Sequence, residues 1–405
     1  MTDAKRRIDV AEAVALIAAN MPRFGVDKVP LAQAQGAILR QAVVAERDQP
    51  PFDRVTMDGI AIRHAGFASG TRRFEVRGTQ AAGAASLSLD GDDNCIEIMT
   101  GAALPDDADT VIPVERIRRD GDFALLEDGY EPAANQFIHR RGSDHPADAR
   151  LLEPGTIIGA PEMAVLTSGG AGDVDIARWP NIAVISTGDE LIDVGEPISR
   201  FQIRSSNDRA IAAALERRGC RTATRARLAD NPEQLLTEID RLHKASDIMV
   251  LSGGVSMGKY DYVPQIMEQL GMRLVFHKIL QRPGLPMWFG VSADDKPVFA
   301  LPGNPVSSLV CLARYVTPAI LTAMGIADRP IERVPLAEDM RFDFDLTRFI
   351  PVVFSTDDAG LRRAVPRAIN TSGDFTSLAG TDGIIELMRE QEHFPAGYAA
   401  PFFAW

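Results

Sequence analysis

Between residues 181 and 325 the sequence alternates short apolar runs with loops and segments of helical spacing. The apolar runs begin at Ile182, Ile248, Leu274 and Val298. Alternation of strand and helix is typical of a parallel sheet that carries helices on both of its faces. The sequence therefore predicts a doubly wound α/β domain over residues 181–327.

The loops that follow these predicted strands are rich in glycine and polar residues. They are Ser186-Thr-Gly-Asp-Glu190, Ser252-Gly-Gly-Val-Ser-Met-Gly258, His277 to Gly284, and Pro302-Gly-Asn-Pro305. Ligands of an open α/β sheet bind at the carboxyl ends of its strands, so these loops predict one shared ligand cleft. Gly253 and Gly254 would let backbone N–H groups approach an anion, and the following helix would add its positive end.

Simpler structural roles stay open for some of these residues. Gly253 to Lys259 resembles a nucleotide-binding phosphate loop, but Tyr260 stands where that loop needs a hydroxyl for magnesium. This disfavours a P-loop nucleotidase, and a tight strand–helix turn is the structural alternative. Asn304-Pro305 has the residue types of a helix start, so capping alone could explain that pair.

Four acidic residues lie in or beside the loops, namely Asp189, Glu190, Asp230 and Asp261. A solvated loop acid is the structural alternative for each, and Asp230 stands where it could cap a helix. Several carboxylates around a phosphate site favour a divalent cation between them. Magnesium in particular binds through one or two carboxylates together with ligand phosphates.

The rest of the chain predicts three further parts. Residues 9–20 have helical spacing, with Asp9 and Glu12 resembling a capping box. Between 71 and 127 the sequence predicts short strands that begin at Phe74, Cys95, Thr110 and Phe123 and are separated by Gly and Asp turns. A hairpin is predicted from Phe349 onward. The predicted domains are a discontinuous elongated domain of residues 1–50 plus 141–180, a small mostly-β domain of 51–140, the α/β domain of 181–327, and a β-rich C-terminal domain of 328–405.

The charge and hydropathy patterns exclude several classes of protein. A net charge of −13 disfavours non-specific binding to nucleic acid or membranes. The three cysteines lack metal-ligand spacing, which excludes a disulfide scaffold and a zinc ribbon. Arg314 and Pro318 interrupt the longest apolar stretch, and no run reaches the roughly 18 residues of a membrane span. We expect a cytoplasmic protein with no nucleic-acid or membrane partner.

Eight segments of the chain are, in order, PPFDRVTMDGIA (50–61), MTGAALPDDADTVIPVE (99–115), RRGSD (140–144), STGDEL (186–191), RSSN (204–207), LSGGVSMGKYDY (251–262), RPGLP (282–286) and LPGNPVSS (301–308). Together and in this order they resemble the molybdopterin molybdenumtransferase (MoeA-like) family over nearly the whole chain. The resemblance implies a four-part homodimer with a molybdopterin-binding third domain and a C-terminal β-barrel. It also implies insertion of molybdenum from molybdate into adenylylated molybdopterin, with release of AMP and with Mg²⁺ as cofactor.

The resemblance also implies roles for individual residues. The implied catalytic residues are Asp58, Thr100, Asp144, Glu190, Asp230, Asp261 and Lys278. The implied substrate-binding residues are Ser186, Thr187, Gly188, Gly253, Gly254, Ser256, Arg282, Pro302, Gly303, Asn304, Pro305 and Ser372. Among them, Glu190 and Asp261 would hold the metal, and Asp58 and Thr100 would serve the cleft of the partner subunit.

Some positions depart from the family pattern. Arg282-Pro-Gly-Leu285-Pro286 stands where the family usually has K-P-G-K-P, His139 replaces an arginine, and Ile60 replaces an aromatic residue. Arg282 keeps a positive charge and offers a bidentate fork to oxyanions. Leu285 lacks the cation of lysine, which predicts weaker molybdate capture unless Arg282 already supplies the charge.

Two other functions stay open. A non-catalytic molybdopterin carrier or scaffold would keep the binding loops without turnover. An adenylyltransferase would resemble the third domain alone, and the flanking domains with their MDG and TGAALP motifs argue against it. Molybdopterin adenylyltransferase and proteins of molybdoenzyme maturation are the possible partners.

Overall fold

The structure is a computed structural model that describes residues 6–220, 223–255, 261–342 and 345–405. The chain forms two compact units. The first unit comprises Met1–Gln41, Pro154–Ala160 and Asp173–Trp405, and the second unit comprises Ala42–Glu153 and Pro161–Gly172. The division into four domains stays a prediction.

A six-stranded sheet lies within the first unit. Its strands are β1 (Ile182–Thr187), β2 (Ala223–Leu228), β3 (Ile248–Ser252), β4 (Arg273–Phe276), β5 (Trp288–Val291) and β6 (Pro297–Leu301). They are arranged in the order β2–β1–β3–β6–β5–β4. Ile182 of β1 pairs in parallel with Ala223 of β2 and with Ile248 of β3. The strand order therefore reverses between β1 and β3, where sheets of this kind bind ligands.

Helices cover both faces of this sheet, as the sequence predicts. They are α1 (Asn207–Arg217), α2 (Pro232–Ala245), α3 (Val263–Gln269) and α4 (Pro305–Cys311). Successive residues of a strand point to opposite faces. Accordingly, Val184 of β1 belongs to the apolar cluster shared with α1 and α4, and Ile185 belongs to the cluster shared with α2 and α3. The doubly wound α/β fold is confirmed.

The sheet is not wholly parallel, and that part of the prediction is wrong. β5 runs antiparallel to both β6 and β4. A short turn over residues 292–296 joins β5 to β6, and a connection of that length can link only antiparallel neighbours. β4 regains the direction of β6, so His277 still follows a strand at the ligand-binding edge.

An asparagine side chain caps one helix, and two other predicted side-chain caps are absent. Asn231 caps α2, because its Oδ1 accepts hydrogen bonds from the backbone N–H groups of Glu233 and Gln234 at 3.1 Å. Asn304 precedes α4 but makes no capping bond with its side chain. The capping box at Asp9 is also wrong, because Asp9 Oδ1 instead accepts a hydrogen bond from Arg389 at 2.6 Å.

The N-terminal segment and the end of the α/β region complete this part of the first unit. Its further elements are strand Arg7–Ile8 beside Lys278–Ile279, helix Val10–Asn20, strand Val26–Pro30 beside Asp173–Ala177, and the 3-10 turn Leu31–Gln33. α4 continues through a π-helical segment, Leu312–Val316, into helix Thr317–Ala323. The combined segment Pro305–Ala323 is long and apolar enough to cross a membrane, and most of it is buried inside the protein.

The C-terminal part of the first unit is a closed barrel, as the resemblance implies. Its strands, in order of pairing, are Arg362–Pro366, Thr347–Thr356, Gly383–Leu387, Ala399–Ala404 and Arg333–Pro335. A bridge between Leu336 and Ala364 joins the last strand to the first. The hairpin predicted from Phe349 onward is the first pair in this order. Shorter elements are Leu191–Ile192 beside Ile203–Arg204, Gln281–Arg282 beside the barrel, Met340–Arg341 beside His393–Phe394, and the 3-10 helix Phe375–Leu378.

The second unit contains the mostly-β region. Its sheet has the order Thr110–Pro113, Gly59–Ile62, Asn94–Ile98, Arg73–Gln80, Phe123–Leu126, Ile117–Asp120. The strands predicted near Phe74, Cys95, Thr110 and Phe123 are confirmed, whereas Gly59–Ile62 and Ile117–Asp120 were not predicted. The other elements are the pairs Arg54–Val55 with Ile138–His139 and Val43–Val44 with Arg150–Leu152, the helix His64–Ala68, and the 3-10 turn Val114–Arg116. Helix Ala160–Ser168 belongs to this unit from Pro161 onward.

Candidate functional site

A cleft of about 960 Å³ opens at the carboxyl ends of β1, β3 and β6, and we call it the main cleft. β1 ends in Ser186 and Thr187, β3 continues into Gly253, and β6 continues into Pro302 and Gly303. All of these residues line the main cleft. The cleft therefore occupies the place where the strand order reverses.

Backbone segments approach so closely at the floor of the main cleft that two positions require glycine. Gly253 has φ of 103° and Gly254 has φ of 65°, a left-handed region that other residues rarely adopt. A Cβ atom on Gly253 would lie 2.6 Å from the carbonyl oxygen of Thr187. A Cβ atom on Gly254 would lie 2.7 Å from a methyl group of Val263. The glycine pair thus allows the end of β3 to fold against the end of β1.

Two hydroxyl groups at the end of β1 have no hydrogen-bond partner in the described part of the chain. They are Ser186 Oγ and Thr187 Oγ1, whose residues are only 1% and 5% exposed. Buried polar atoms are nearly always hydrogen-bonded, because leaving them unpaired costs about 1–3 kcal/mol. Hydroxyls in this state beside a cleft are suited to binding a polar ligand.

Asn207, at the start of α1, connects two of the loops. Its Nδ2 donates hydrogen bonds to Ser252 Oγ at 2.7 Å and to the carbonyl oxygen of Gly303 at 2.8 Å. His277 braces the β3 loop through a 2.9 Å contact between its Nε2 and the carbonyl oxygen of Val255. The loops that line the cleft are therefore held by side chains from two different parts of the chain.

The four acids of the loops lie near one another, as their positions after the strands predict. Burial raises the pKa of the Asp230 carboxyl, and the negative charges of Asp189, Glu190 and Asp261 raise it further. The backbone N–H of Asp230 donates to Asp189 Oδ1 at 2.9 Å, so Asp189 supports the turn. Asp230 does not cap α2, a role that Asn231 fills. Among the described residues, no three His, Cys, Asp or Glu side chains form a complete metal site.

We expect Asp230→Asn to raise the melting temperature (Tm) at pH 7. The folded protein holds the Asp230 proton more tightly than the unfolded chain, so this carboxyl lowers stability as the pH rises above about 4. Thermal unfolding measured between pH 3 and pH 7 should show a gain that appears above about pH 4 and levels off once the carboxyl is ionised in the folded protein. Asp240→Asn, on the exposed surface of α2, is the control that should show no gain. An unchanged Tm at pH 7 would mean that neither burial nor the neighbouring acids make the Asp230 charge unfavourable.

A second cavity, of about 660 Å³, contains three arginines, and we call it the arginine cavity. Arg282, Arg341 and Arg348 line it together with Leu285 and Ser372. Burial lowers the pKa of the Arg348 guanidinium, and the positive charge of Arg282 lowers it further. Converging positive charges in a partly buried space favour an anionic ligand.

The two cavities adjoin, because Pro286, Pro302 and Asn304 line both of them. Asn304 Nδ2 donates a hydrogen bond to Ser372 Oγ at 2.8 Å, which links the α4 loop to the C-terminal segment. An elongated anionic ligand could therefore reach from the acids of the main cleft to the guanidinium groups of the arginine cavity.

The second unit contains the other acids implied by the resemblance. Asp58 Oδ1 accepts hydrogen bonds from the backbone N–H of Thr100 at 2.6 Å and from its hydroxyl at 2.7 Å. Both bonds lower the pKa of the Asp58 carboxyl. Asp144 pairs with His139 at 2.9 Å, and the other ring nitrogen of His139 contacts Arg54 at 3.1 Å. The structure thus brings Asp58 to Thr100 and places Asp144 in a separate network.

The structure separates the remaining predicted site residues into groups. The main cleft is also lined by Glu190, Asp230, Asp261 and Pro305, and the arginine cavity is lined by Arg282 and Ser372. Gly188 lies against Glu190: a Cβ atom on Gly188 would be 2.6 Å from the Glu190 carboxylate. Lys278 lies on its short strand beside Arg7 and lines neither cavity. Ser256 lies outside the described residues, as do Lys259 and Tyr260.

Sequence reasoning missed several residues that line the two cavities. Asn207 belongs to the RSSN motif, but no binding or catalytic role was predicted for it. Arg341, Arg348 and Phe375 lie in the C-terminal β-rich segment, whose alternating pattern predicts strands and carries no ligand motif.

Comparison with known proteins identifies the family. Residues 8–170 match the MoeA N-terminal region (domains I and II), residues 183–322 match the probable molybdopterin binding domain, and residues 333–404 match the MoeA C-terminal region (domain IV). Molybdopterin molybdenumtransferase from Synechocystis is 37% identical over 98% of this chain and 100% of its own length. The chain belongs to the MoeA family. It is therefore a transferase of molybdenum cofactor biosynthesis.

Further relatives agree with this assignment. The MoeA family member from Staphylococcus aureus strain Mu50, also a molybdopterin molybdenumtransferase, is 30% identical over 98% of this chain and 96% of its own length. The crystal structure of the molybdopterin biosynthesis MoeA protein from Pyrococcus horikosii superimposes with a TM-score of 0.79 at 28% identity. It covers 98% of this chain and 99% of that chain, so the MoeA fold extends over nearly all of the sequence.

Proposed function

We propose that this protein transfers molybdenum from molybdate to adenylylated molybdopterin and releases AMP, and that it does so in the cytoplasm. The observation that supports this most strongly is the junction of an acid-lined cleft with an arginine-lined cavity at Asn304 and Pro302. One reactant carries phosphate groups and the other is a compact oxyanion. Adjoining sites of opposite charge suit a reaction that brings these two reactants together.

A cation would help phosphates to bind in the main cleft. Its described lining includes the carboxylates of Glu190, Asp230 and Asp261 and one guanidinium, that of Arg204, so negative charge exceeds positive charge among these residues. Burial raises the pKa of the Asp230 carboxyl and the negative charges of Asp189, Glu190 and Asp261 raise it further, and a divalent cation would relieve that repulsion. We assign Mg²⁺ to Glu190 and Asp261, where it would neutralise phosphate charge and so help the adenylyl group to leave as AMP.

The arginine cavity is our proposed site for molybdate. Arg282 offers a planar fork that matches two oxygens of an oxyanion, and Arg341 and Arg348 add positive charge beside it. These groups supply charge near Leu285, where the family usually has lysine. The Ser372 hydroxyl could donate a hydrogen bond to the same oxyanion, since it lines this cavity.

The direct test is incubation of the purified protein with adenylylated molybdopterin, molybdate and Mg²⁺. AMP release is followed by chromatography, and active cofactor is measured by reconstitution of a molybdenum-free molybdoenzyme. Formation of both products in equal amounts supports the transfer. Tight binding of the pterin without AMP release would instead favour the non-catalytic carrier.

We also propose a homodimer in which Asp58 and Thr100 serve the main cleft of a second copy, as the family resemblance implies. Mixing Asp58→Asn protein with Asp261→Asn protein should then restore up to about a quarter of wild-type activity. Half of the dimers would be hybrids, and each hybrid would keep one site with both wild-type residues. The measurement is AMP release after verified subunit exchange.

A matched control tests the geometry of sharing. Glu190→Gln mixed with Asp261→Asn should restore nothing, because Glu190 and Asp261 line the same cleft of one chain. Equal activity in the two mixtures, or none in either after exchange, would contradict a shared site.

A further inference from the structure

Exposed apolar side chains line the main cleft beside its polar floor. Phe375 is 48% exposed, Ile198 is 46% exposed and Ile203 is 56% exposed, and all three line this cleft. Leaving large apolar groups in water is unfavourable, so a cluster of them within a ligand cleft indicates a ligand with an apolar face.

The backbone segments that carry these side chains are held in place by hydrogen bonds to other elements. Phe375 begins the 3-10 helix Phe375–Leu378, and the preceding Ser372 carbonyl accepts a hydrogen bond from the N–H of Val306 in α4 at 3.1 Å. Ile203 donates its N–H to the carbonyl of Glu190 at 2.8 Å. The apolar groups are therefore attached to elements that also hold the acids and the α4 loop.

Arg204, which follows Ile203 in the chain, holds the loop that contains Ile198. Arg204 Nη1 donates to the carbonyl oxygens of Asp193 at 2.5 Å and Glu196 at 2.8 Å. A second arginine, Arg209, pairs with the Asp193 carboxylate at 2.7 Å. The loop is thus braced at its base, which favours a preformed binding wall.

We propose that Phe375 stacks on the planar heteroaromatic ring of the substrate, with Ile198 and Ile203 providing further apolar contact. A phosphate or sugar would leave these side chains in water. A flat heteroaromatic ring has an apolar face that can cover Phe375, and it also has polar edges. The unpaired hydroxyls of Ser186 and Thr187 on the same cleft are suited to such polar edges or to the attached phosphate.

The inference rests on the proposed function, because adenylylated molybdopterin contains two rings of this kind, adenine and pterin. Each of these rings has a flat face on which Phe375 can stack. The experiment below uses one probe for each ring, so that its result also identifies which ring lies against Phe375.

The test measures ligand affinity of the full-length protein with Mg²⁺ present, by calorimetry for AMP and by pterin fluorescence for 6-hydroxymethylpterin. Ribose 5-phosphate serves as the probe that lacks a ring. Phe375→Ala should weaken binding of one ring probe by about 5- to 30-fold, the range expected for loss of one stacked aromatic contact. Its affinity for ribose 5-phosphate should stay the same.

Matched variants separate stacking from a general disturbance. Phe375→Tyr keeps the aromatic face and should bind like the wild type, whereas Phe375→Leu should lie between tyrosine and alanine. Phe201→Ala removes a phenylalanine that is 83% exposed but does not line the main cleft, and it should leave all affinities unchanged. Thermal unfolding verifies that each variant is folded.

Unchanged affinity of Phe375→Ala for both AMP and 6-hydroxymethylpterin would overturn the proposal. Equal weakening by Phe201→Ala would overturn it as well, because the effect would then not depend on the cleft. These results are distinct from failure of the proposed function, which is judged by AMP release from the complete substrate. If the wild type transfers molybdenum and Phe375→Ala still binds both ring probes normally, the stacking proposal fails and the proposed function stands.

Discussion

Glu190→Gln and Asp261→Asn should each reduce the rate of AMP release by about 10²- to 10³-fold while the protein stays folded. Each change removes one negative charge from the main cleft with almost no change in volume. The charge is what would hold Mg²⁺ against the phosphates of the substrate, so an amide in its place weakens that contact. Both residues line the main cleft, and neither belongs to an apolar cluster of the sheet.

The loss should be measured as kcat/KM for AMP release, with Tm as the test of folding. Glu238→Gln is the matched control, because Glu238 is an exposed acid on α2 that pairs with Arg241 outside the main cleft. It should keep wild-type activity. If Glu190→Gln and Asp261→Asn inserted molybdenum at near wild-type rates, these two acids would have no part in the reaction.

Glu386→Gln should destabilise the first unit by about 3–5 kcal/mol, because it leaves the charge of Arg314 buried without its counterion. Arg314 Nε donates to Glu386 Oε2 at 2.7 Å, and the two side chains are only 11% and 13% exposed. The guanidinium also lies 4.6 Å from the ring centre of Phe403. The pair connects the π-helical segment after α4 to a strand of the C-terminal barrel.

Chemical denaturation or Tm measures this loss, and a second pair in the same barrel provides the comparison. Glu332 and Arg362 are 3.0 Å apart but are each 52% exposed, so Glu332→Gln should cost less than about 1 kcal/mol. Replacing both Arg314 and Glu386 by methionine should recover most of the stability lost in Glu386→Gln. Equal effects of Glu332→Gln and Glu386→Gln would show that burial adds nothing to the Arg314 pair.

The α/β sheet and its ligand loops could be predicted because burial leaves a direct pattern in the sequence. Every residue of β1 and β3 is buried, so both strands appear as continuous apolar runs followed by polar loops. β2 has no such run: its sequence, ATRARL, includes two arginines, which an edge strand tolerates and a central strand would not. It was therefore missed although it pairs with β1 along its whole length.

Long-range partners explain the remaining differences. Asp9 has the residue type of a helix cap, but Arg389, distant in sequence, takes its carboxylate. Arg348 is 7% exposed within a barrel strand, and local sequence gives no signal that an arginine there would be buried beside Arg282. Local pattern thus identified the loops of the main cleft, whereas the arginine cavity depends on a tertiary arrangement that the pattern does not encode.

The pairing of Val26–Pro30 with Asp173–Ala177 determines the order in which this chain can fold during synthesis. The first of these strands leaves the ribosome long before its partner, and at about 5–20 residues per second the interval is on the order of ten seconds. During that time its backbone groups have no partner strand. Asp27, Lys28 and Pro30 discourage pairing with other chains, because charges and proline make a poor template for an added strand. The sequence of this short strand therefore protects the nascent protein from aggregation until residues 173–177 arrive.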